Sequence, residues 1–385
     1  MRPDILNPLF AETETLDGVG PKMKKPLDRL GLTRVRDLDA VHGCAQRIVD
    51  AMAEPFALNG QTVRVSASVG VAYSAMRGVD GDELMRQADL ALYAAKRTGR
   101  STFADYDASL NQRERTRRDL ELDMRHAITE GQFSLVYQPQ ICLKSGKWTG
   151  REALVRWEHP TRGRIMPGEF IGIAEETGLI IPLGEWIIRR AIHEAASWEE
   201  PHTIAINLSP VQMRNPNLIN VLTTAIATAQ IEPQRIEIEI TESALMHDSE
   251  ANVEMLHRLR QLGLRIALDD FGTGYSSLNY LRAFPFDRIK IDRCFVSEVL
   301  DRADCQAIVC SIISLANELG MDTIAEGVET PEQLEWLTRN GCMEAQGYFI
   351  SRPIEGQLAG EDTRAHEQWP DAKGSNVHHL HTKVA

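Results

Sequence analysis

The chain has 385 residues, 43% of them hydrophobic and 25% charged, the composition of a folded globular protein and not of a disordered one. Its length predicts two domains, or one large domain with an appendage. No apolar run approaches the ~18–20 residues of a membrane span, the opening MRPDILNPLF lacks a signal peptide's layout, and 42 basic against 55 acidic residues disfavour nucleic-acid polymers as partners. A cytoplasmic protein is the expectation. The six cysteines (Cys44, Cys142, Cys294, Cys305, Cys310 and Cys342) form no CxxC pair and no zinc-like grouping with histidine, so they read as reduced, buried thiols.

Residues 1–38 form a turn-rich, basic-leaning leader, and 44–107 a small α/β stretch. Residues 108–130 read as a linker helix, with Leu120, Met124 and Ala127 at helical spacing and Gly131 placed as a C′ glycine. From 131 to 358 short apolar or β-branched runs alternate with helical patterns. The runs are 134–141, 150–157, 203–208, 235–241, 265–269, 288–291, 322–326 and 345–350; clear helical patterns cover 251–262, 305–319 and 331–340. Near-continuously apolar strands alternating with helices predict a parallel sheet buried on both faces, and this number of units fits a (β/α)8 TIM barrel better than an open sheet. Residues 359–385 are polar and without periodicity, and read as a disordered tail; its His378, His379 and His381 are taken as an incidental solvated cluster.

Polar residues collect at the carboxyl ends of these strands, where such barrels build active sites. Glu152 lies in the second strand, Asn207 closes the third, and Glu239 and Glu242 end the fourth. Asp269 and Asp270 close the fifth, Lys290 sits in the sixth, Glu326 and Glu329 follow the seventh, and Gln346 enters the eighth. Ionisable groups in an apolar strand are costly unless they pair or bind metal. Carboxylates with one amide, and no His or Cys among them, suit Mg2+ or Mn2+. Two such ions beside a lysine suit phosphoester hydrolysis, while a metal-dependent aldolase or enolase-type barrel fits the residues almost as well.

A series of motifs removes that ambiguity. Glu152-Ala153-Leu154 is accompanied, in order along the chain, by Tyr137-Gln138-Pro139, Asn207-Leu208-Ser209, Glu239-Ile240-Thr241-Glu242, Asp269-Asp270-Phe271-Gly272-Thr273-Gly274, Lys290-Ile291-Asp292, Ala325-Glu326-Gly327-Val328-Glu329 and Gln346-Gly347-Tyr348. Over roughly residues 115–358 the chain resembles the EAL family of cyclic di-GMP phosphodiesterases. The resemblance implies a modified barrel with one antiparallel strand, acting as a homodimer and opening cyclic di-GMP to linear 5′-pGpG with Mg2+ or Mn2+, two ions per site. It implies Glu152, Asn207, Glu239 and Asp269 as ligands of one ion, Asp269 and Asp270 of the second, with Glu326 nearby. Lys290 would orient the attacking water, and Gln346 with Glu329 would complete the hydrogen-bonded shell. Gln138, Leu154 and Arg156 would contact substrate, and Glu242 would anchor the 270–277 loop. The alternative is a non-catalytic cyclic di-GMP receptor or partner-binding protein, but every position named is intact.

Residues 44–107, through VRVSASVGVAY, Asp82-Glu83-Leu84-Met85 and ADLALYAAKRTGRSTFADYD, resemble the carboxyl half of a GGDEF (diguanylate cyclase) domain. Lys96 and Arg100 match triphosphate-contacting positions, but the GGDEF loop and the strand with the first metal-binding Asp are missing. No cyclase activity is expected. A sheet without those strands exposes an edge, which predicts a segment that is loosely packed, docked on the barrel or paired with another chain. TLDGVGPKMKKPLDRLGL in the leader resembles the amino-terminal edge of RecG-type helicases, and is expected to be vestigial.

Overall fold

A computed structural model describes residues 38–355 except 59–60, 64, 74–80, 100, 247–248, 273–280, 282–283 and 285. The expected tail and the leader before residue 38 lie outside the described residues. The chain divides into two compact units, Met1–Asp119 and Leu120–Ala385.

In the first unit, helix α1 (Leu38–Ala53) precedes an antiparallel hairpin of β1 (Phe56–Leu58) and β2 (Gln61–Val63). Strand β3 (Val69–Val71) runs parallel to β4 (Phe103–Asp105), with α2 (Gly81–Arg97) as the crossover. Val71, Ala91 and Ala95 are buried, as are Cys44, Ala45 and Val49 of α1. Among the described residues β3 and β4 pair only with each other, and Val65 and Tyr73 are exposed. Helix α3 (Ala108–Glu130) covers the stretch whose spacing predicts a helix, and Gly131 after it takes φ +68°, a conformation that suits a residue without Cβ. Leu120, Met124 and Ala127 of α3 are buried in the core of the second unit, and Asp123 meets His159 Nε2 at 3.1 Å.

The second unit is a closed barrel of eight strands. They are β5 (Phe133–Cys142), β6 (Trp148–His159), β8 (Thr203–Asn207), β9 (Ile236–Thr241), β10 (Arg265–Phe271), β11 (Arg288–Ile291), β12 (Asp322–Ala325) and β13 (Glu344–Ala345). Two short strands, β7 (Gly163–Ile165) and β14 (Ile354–Glu355), attach antiparallel to β6 and β5. The circuit runs β5-β6-β8-β9-β10-β11-β12-β13 and returns to β5. β5 is antiparallel to both neighbours and all other pairs in the circuit are parallel, as the family resemblance implied. Helices such as Ile180–Ala196, Ala303–Glu318 and Pro331–Arg339 follow the strands; the isoleucines and leucines of both layers form one core.

The structure corrects two expectations. The apolar pattern predicts an eighth strand over 345–350, yet β13 stops at Ala345. Beyond it the backbone bonds to the turn after β12: Val328 N donates to Gln346 O (3.1 Å) and Phe349 N to Val328 O (3.0 Å), which leaves no ladder to continue. The cysteines are free, as expected, but only Cys44, Cys305 and Cys342 are buried; Cys142 and Cys310 are half-buried and Cys294 is exposed at the start of helix Arg293–Ser297.

Candidate active site

Parallel strands in register bring their carboxyl ends to one rim, and the polar residues picked from the sequence gather there. A cavity of about 210 Å³ is lined by Gln138, Glu152, Leu154, Asp269, Lys290, Glu326, Glu329 and Gln346, together with Arg293, Gly327, Gly347 and Tyr348. Alternation along β6 puts Glu152 and Leu154 on the same inward face. Gln138 of β5 sits directly opposite Glu152 in the ladder.

Lys290 is the hub. Only 1% of its side chain is exposed, and its Nζ lies 2.6 Å from Glu326, 2.8 Å from Glu239, 3.3 Å from Asp269 and 4.0 Å from Glu152. Burial alone would lower its pKa, but Asp269, Glu152, Glu239 and Glu326 outweigh burial and hold it well above the usual lysine value. The four carboxylates face one ammonium, so they are under-compensated. Burial first, then like charge, raises Glu239 well above the carboxylate range and Glu326 to about 8. Asp270 is raised to about 6 by burial and by Asp269 and Asp292. Glu152 goes the other way: burial disfavours its charge, but Lys290 and hydrogen bonds from Gln346 and Asn207 hold it below its ordinary value.

Glu152 is also the best-held carboxylate. Its Oε1 accepts from Asn207 Nδ2 and its Oε2 from Gln346 Nε2, both at 2.6 Å. Gln346 Nε2 donates as well to Gln138 Oε1 (3.0 Å), and Gln138 Nε2 donates to Ser351 O (3.2 Å). Asp270 carries a left-handed φ of +55°, an uncommon conformation for a residue with Cβ, and its N–H donates to Asp269 Oδ1 (2.9 Å). Glu242, 4% exposed, accepts from Gly272 N (3.3 Å) at the entrance to the loop it was expected to anchor; residues 273–280 lie outside the described residues.

Five expected residues, Arg156, Asn207, Glu239, Asp270 and Glu242, stand apart from the cavity lining. Arg156 directs its Nη1 to Val155 O (2.8 Å), and Asn207 donates to Glu152 from beside the cavity. Glu329 reaches the lining from an exposed turn that Gln333 Oε1 holds by accepting from Glu329 N (2.8 Å). The residues without an assigned role were partly visible in the sequence: Asp292, Gly327, Gly347 and Tyr348 lie inside the motif strings, and Arg293 follows directly after one. Gly327 is required at its place, because its φ is +67° and a Cβ there would lie 2.5 Å from Arg293 Cβ.

As they stand, no three Asp, Glu, His or Cys side chains among the described residues form a ready metal-holding group. The carboxylates converge on Lys290 instead. The donor set nevertheless fits a hard divalent cation. It is all oxygen, it carries more carboxylates than its lysine neutralises, and Glu239 Oε1 is buried with no hydrogen-bond partner.

Comparison with known proteins agrees with this geometry. The family model of the EAL domain matches residues 121–353, and the model described as diguanylate cyclase, GGDEF domain matches residues 30–102. The chain belongs to the EAL family and carries a GGDEF-domain segment ahead of the barrel. It is 39% identical over 317 residues to the bifunctional diguanylate cyclase/cyclic di-GMP phosphodiesterase MucR of Pseudomonas aeruginosa, covering 81% of this chain and 46% of that protein. It is 37% identical over 318 residues to the cyclic di-GMP phosphodiesterase PdeR of Escherichia coli, covering 82% and 48%. The chain thus spans just under half the length of these two relatives. Among solved structures, the PaMucR phosphodiesterase in complex with c-di-GMP is similar at TM-score 0.61 and 40% identity, over 63% of this chain and 99% of that one.

Proposed function

We propose that the barrel hydrolyses cyclic di-GMP to linear 5′-pGpG. The observation that carries this reading is the buried Lys290 hub, with Glu152, Glu239, Asp269 and Glu326 within 4.0 Å of one ammonium at the carboxyl rim of an EAL barrel. Water adds across one P–O3′ bond: its oxygen joins phosphorus, and the 3′ oxygen leaves and takes up a proton. Glu152, Asn207, Glu239 and Asp269 would hold one divalent ion and Asp269 with Asp270 a second, Glu326 standing close by; bound Mg2+ or Mn2+ would supply charge stabilisation at the phosphoryl group and lower the pKa of water.

The chain's own residues do the remainder. Lys290, fixed by its carboxylates, presents a positive charge where the attacking water must be oriented and negative charge develops. Asn207 and Gln346 lock both oxygens of Glu152, so this ligand needs no reorganisation. Gln138, Leu154, Glu329 and Gln346 line the space for the dinucleotide, and Arg156, two residues beyond Leu154 on β6, carries a charge suited to its phosphates. Glu242 ties the loop after β10 to the metal-bearing strand, and homodimer formation through the barrel would act on this contact.

We further propose that the chain makes no cyclic di-GMP, because the GGDEF-like stretch lacks the Gly-Gly-Asp-Glu-Phe loop. A cytoplasmic place of action is part of the same proposal; no described helix is long and apolar enough to cross a membrane. The test is Glu152→Ala and Asp269→Asn: each should lose turnover of cyclic di-GMP in metal-replete buffer, while circular dichroism shows the barrel still folded. Retention of more than about a tenth of wild-type turnover would refute the metal assignment.

A further inference from the structure

Beneath Glu152 and Gln346, a line of hydrogen bonds continues down the barrel axis. Gln140 stands on β5 two residues beyond Gln138, on the same face, and is 0% exposed. Its Nε2 donates to Gln346 Oε1 over 3.1 Å, and its Oε1 accepts from Arg288 Nη1 over 3.3 Å. Arg288, at the amino-terminal end of β11, is held at the barrel floor by Glu237 (3.1 Å) and Glu344 (3.0 Å). A continuous path therefore runs Arg288–Gln140–Gln346–Glu152.

The ends of this path dictate its direction. A guanidinium only donates, an ionised carboxylate only accepts, and an amide offers one end of each kind. Gln140 must turn its oxygen to Arg288 and so its NH2 to Gln346. Gln346 must then turn its oxygen down and its NH2 up to Glu152. Reversing either amide would bring two oxygens together, one such pair being Gln346 against Glu152 Oε2 at 2.6 Å. The seat for Gln140 is shaped for it. Gly150 is its register partner on β6, and a Cβ at Gly150 would lie 3.0 Å from Gln140 Oε1 and 2.2 Å from Thr203 Oγ1.

We propose that Gln140 is a positioning residue for the hydrolysis: it fixes the orientation of the Gln346 amide, which in turn holds the Glu152 carboxylate, and it thereby couples the ion pairs of the barrel floor to the active site. Gln140 itself lines no part of the cavity, so it acts only through Gln346. The inference rests on the phosphodiesterase reading for its catalytic half.

The experiment uses the full chain with Gln140→Met, Gln346→Met and the double variant, read out by kinetics and by side-chain amide NMR of protein labelled at glutamine nitrogen. Gln140→Met should lower kcat about tenfold or more with KM changed less than about threefold, and should cost nothing further in the Gln346→Met background. The Gln346 NH2 resonances, assigned by their loss in Gln346→Met, should shift in Gln140→Met. Unmoved Gln346 resonances, an unchanged kcat, or an equal loss of kcat in both backgrounds would overturn the proposal, the last being what a merely structural role gives. Absence of turnover in the wild-type chain would instead reject the phosphodiesterase reading, and the amide resonances would still decide whether Gln140 orients Gln346.

Discussion

Replacing Arg288 with methionine tests the charge logic of the barrel floor. Arg288 is 1% exposed, and its guanidinium bridges Glu237, itself fully buried, and Glu344. Methionine keeps much of the chain length and removes the charge. Glu237 is then left with Arg265, whose Nε is 3.6 Å away on a side chain 28% exposed and already paired with Asp322 at 2.8 Å. Removing one partner of a buried ion pair costs about 3–5 kcal/mol, because the other charge stays buried without compensation. At roughly 2–4 °C per kcal/mol for a unit of this size, the barrel's melting transition should fall by roughly 6–20 °C, measured by calorimetry. Arg288→Met combined with Glu237→Leu removes both charges and should recover most of that loss. A fall smaller than about 3 °C in the single variant, or a double variant no better than the single, would refute the reasoning.

Other perturbations give equally definite outcomes. Met124→Ala empties a 0%-exposed site between α3 and the barrel core, and should destabilise the barrel by about 2–5 kcal/mol in urea unfolding; an unchanged midpoint would mean that α3 does not pack there. Gly327→Ala sets a Cβ against Arg293 at a left-handed φ, so it should cost about 1–3 kcal/mol and depress turnover with it. Normal stability and turnover together would show that the turn tolerates a side chain. Burial raises the pKa of Glu344 against the opposing pull of Arg288. A carboxyl raised in the folded state stabilises below its unfolded pKa, and that contribution fades as pH rises through the folded value. Wild type should therefore lose stability relative to Glu344→Gln as pH climbs from the carboxylate range toward neutrality, and parallel Tm curves would contradict this.

Much of the architecture was legible because its signals are local. Short β-rich runs such as IALDDF and IEIEIT announce buried strands, and the charged residues at their carboxyl ends, Asp269 and Glu239, announce the rim, whereas Glu237 belongs to the floor. Gly131 marked the end of α3 to the residue. The short β13 was misjudged because its termination depends on Val328, which is close in space and distant in sequence. The site showed the same division. Its carboxylates and Lys290 were visible as motif residues, but Gln140 was not, since nothing local distinguishes a glutamine that joins Arg288 to Gln346 from one that faces solvent. Arg293 owes its place on the cavity wall to the close approach of Gly327, again a contact across the fold.

The central claim is tested most directly by incubating the purified chain with cyclic di-GMP and Mn2+ or Mg2+, with and without EDTA, and following products by chromatography. The account predicts linear pGpG that accumulates with time and stops on chelation. Intact cyclic di-GMP after prolonged incubation of a folded, metal-replete protein that binds it would contradict the account and favour a receptor.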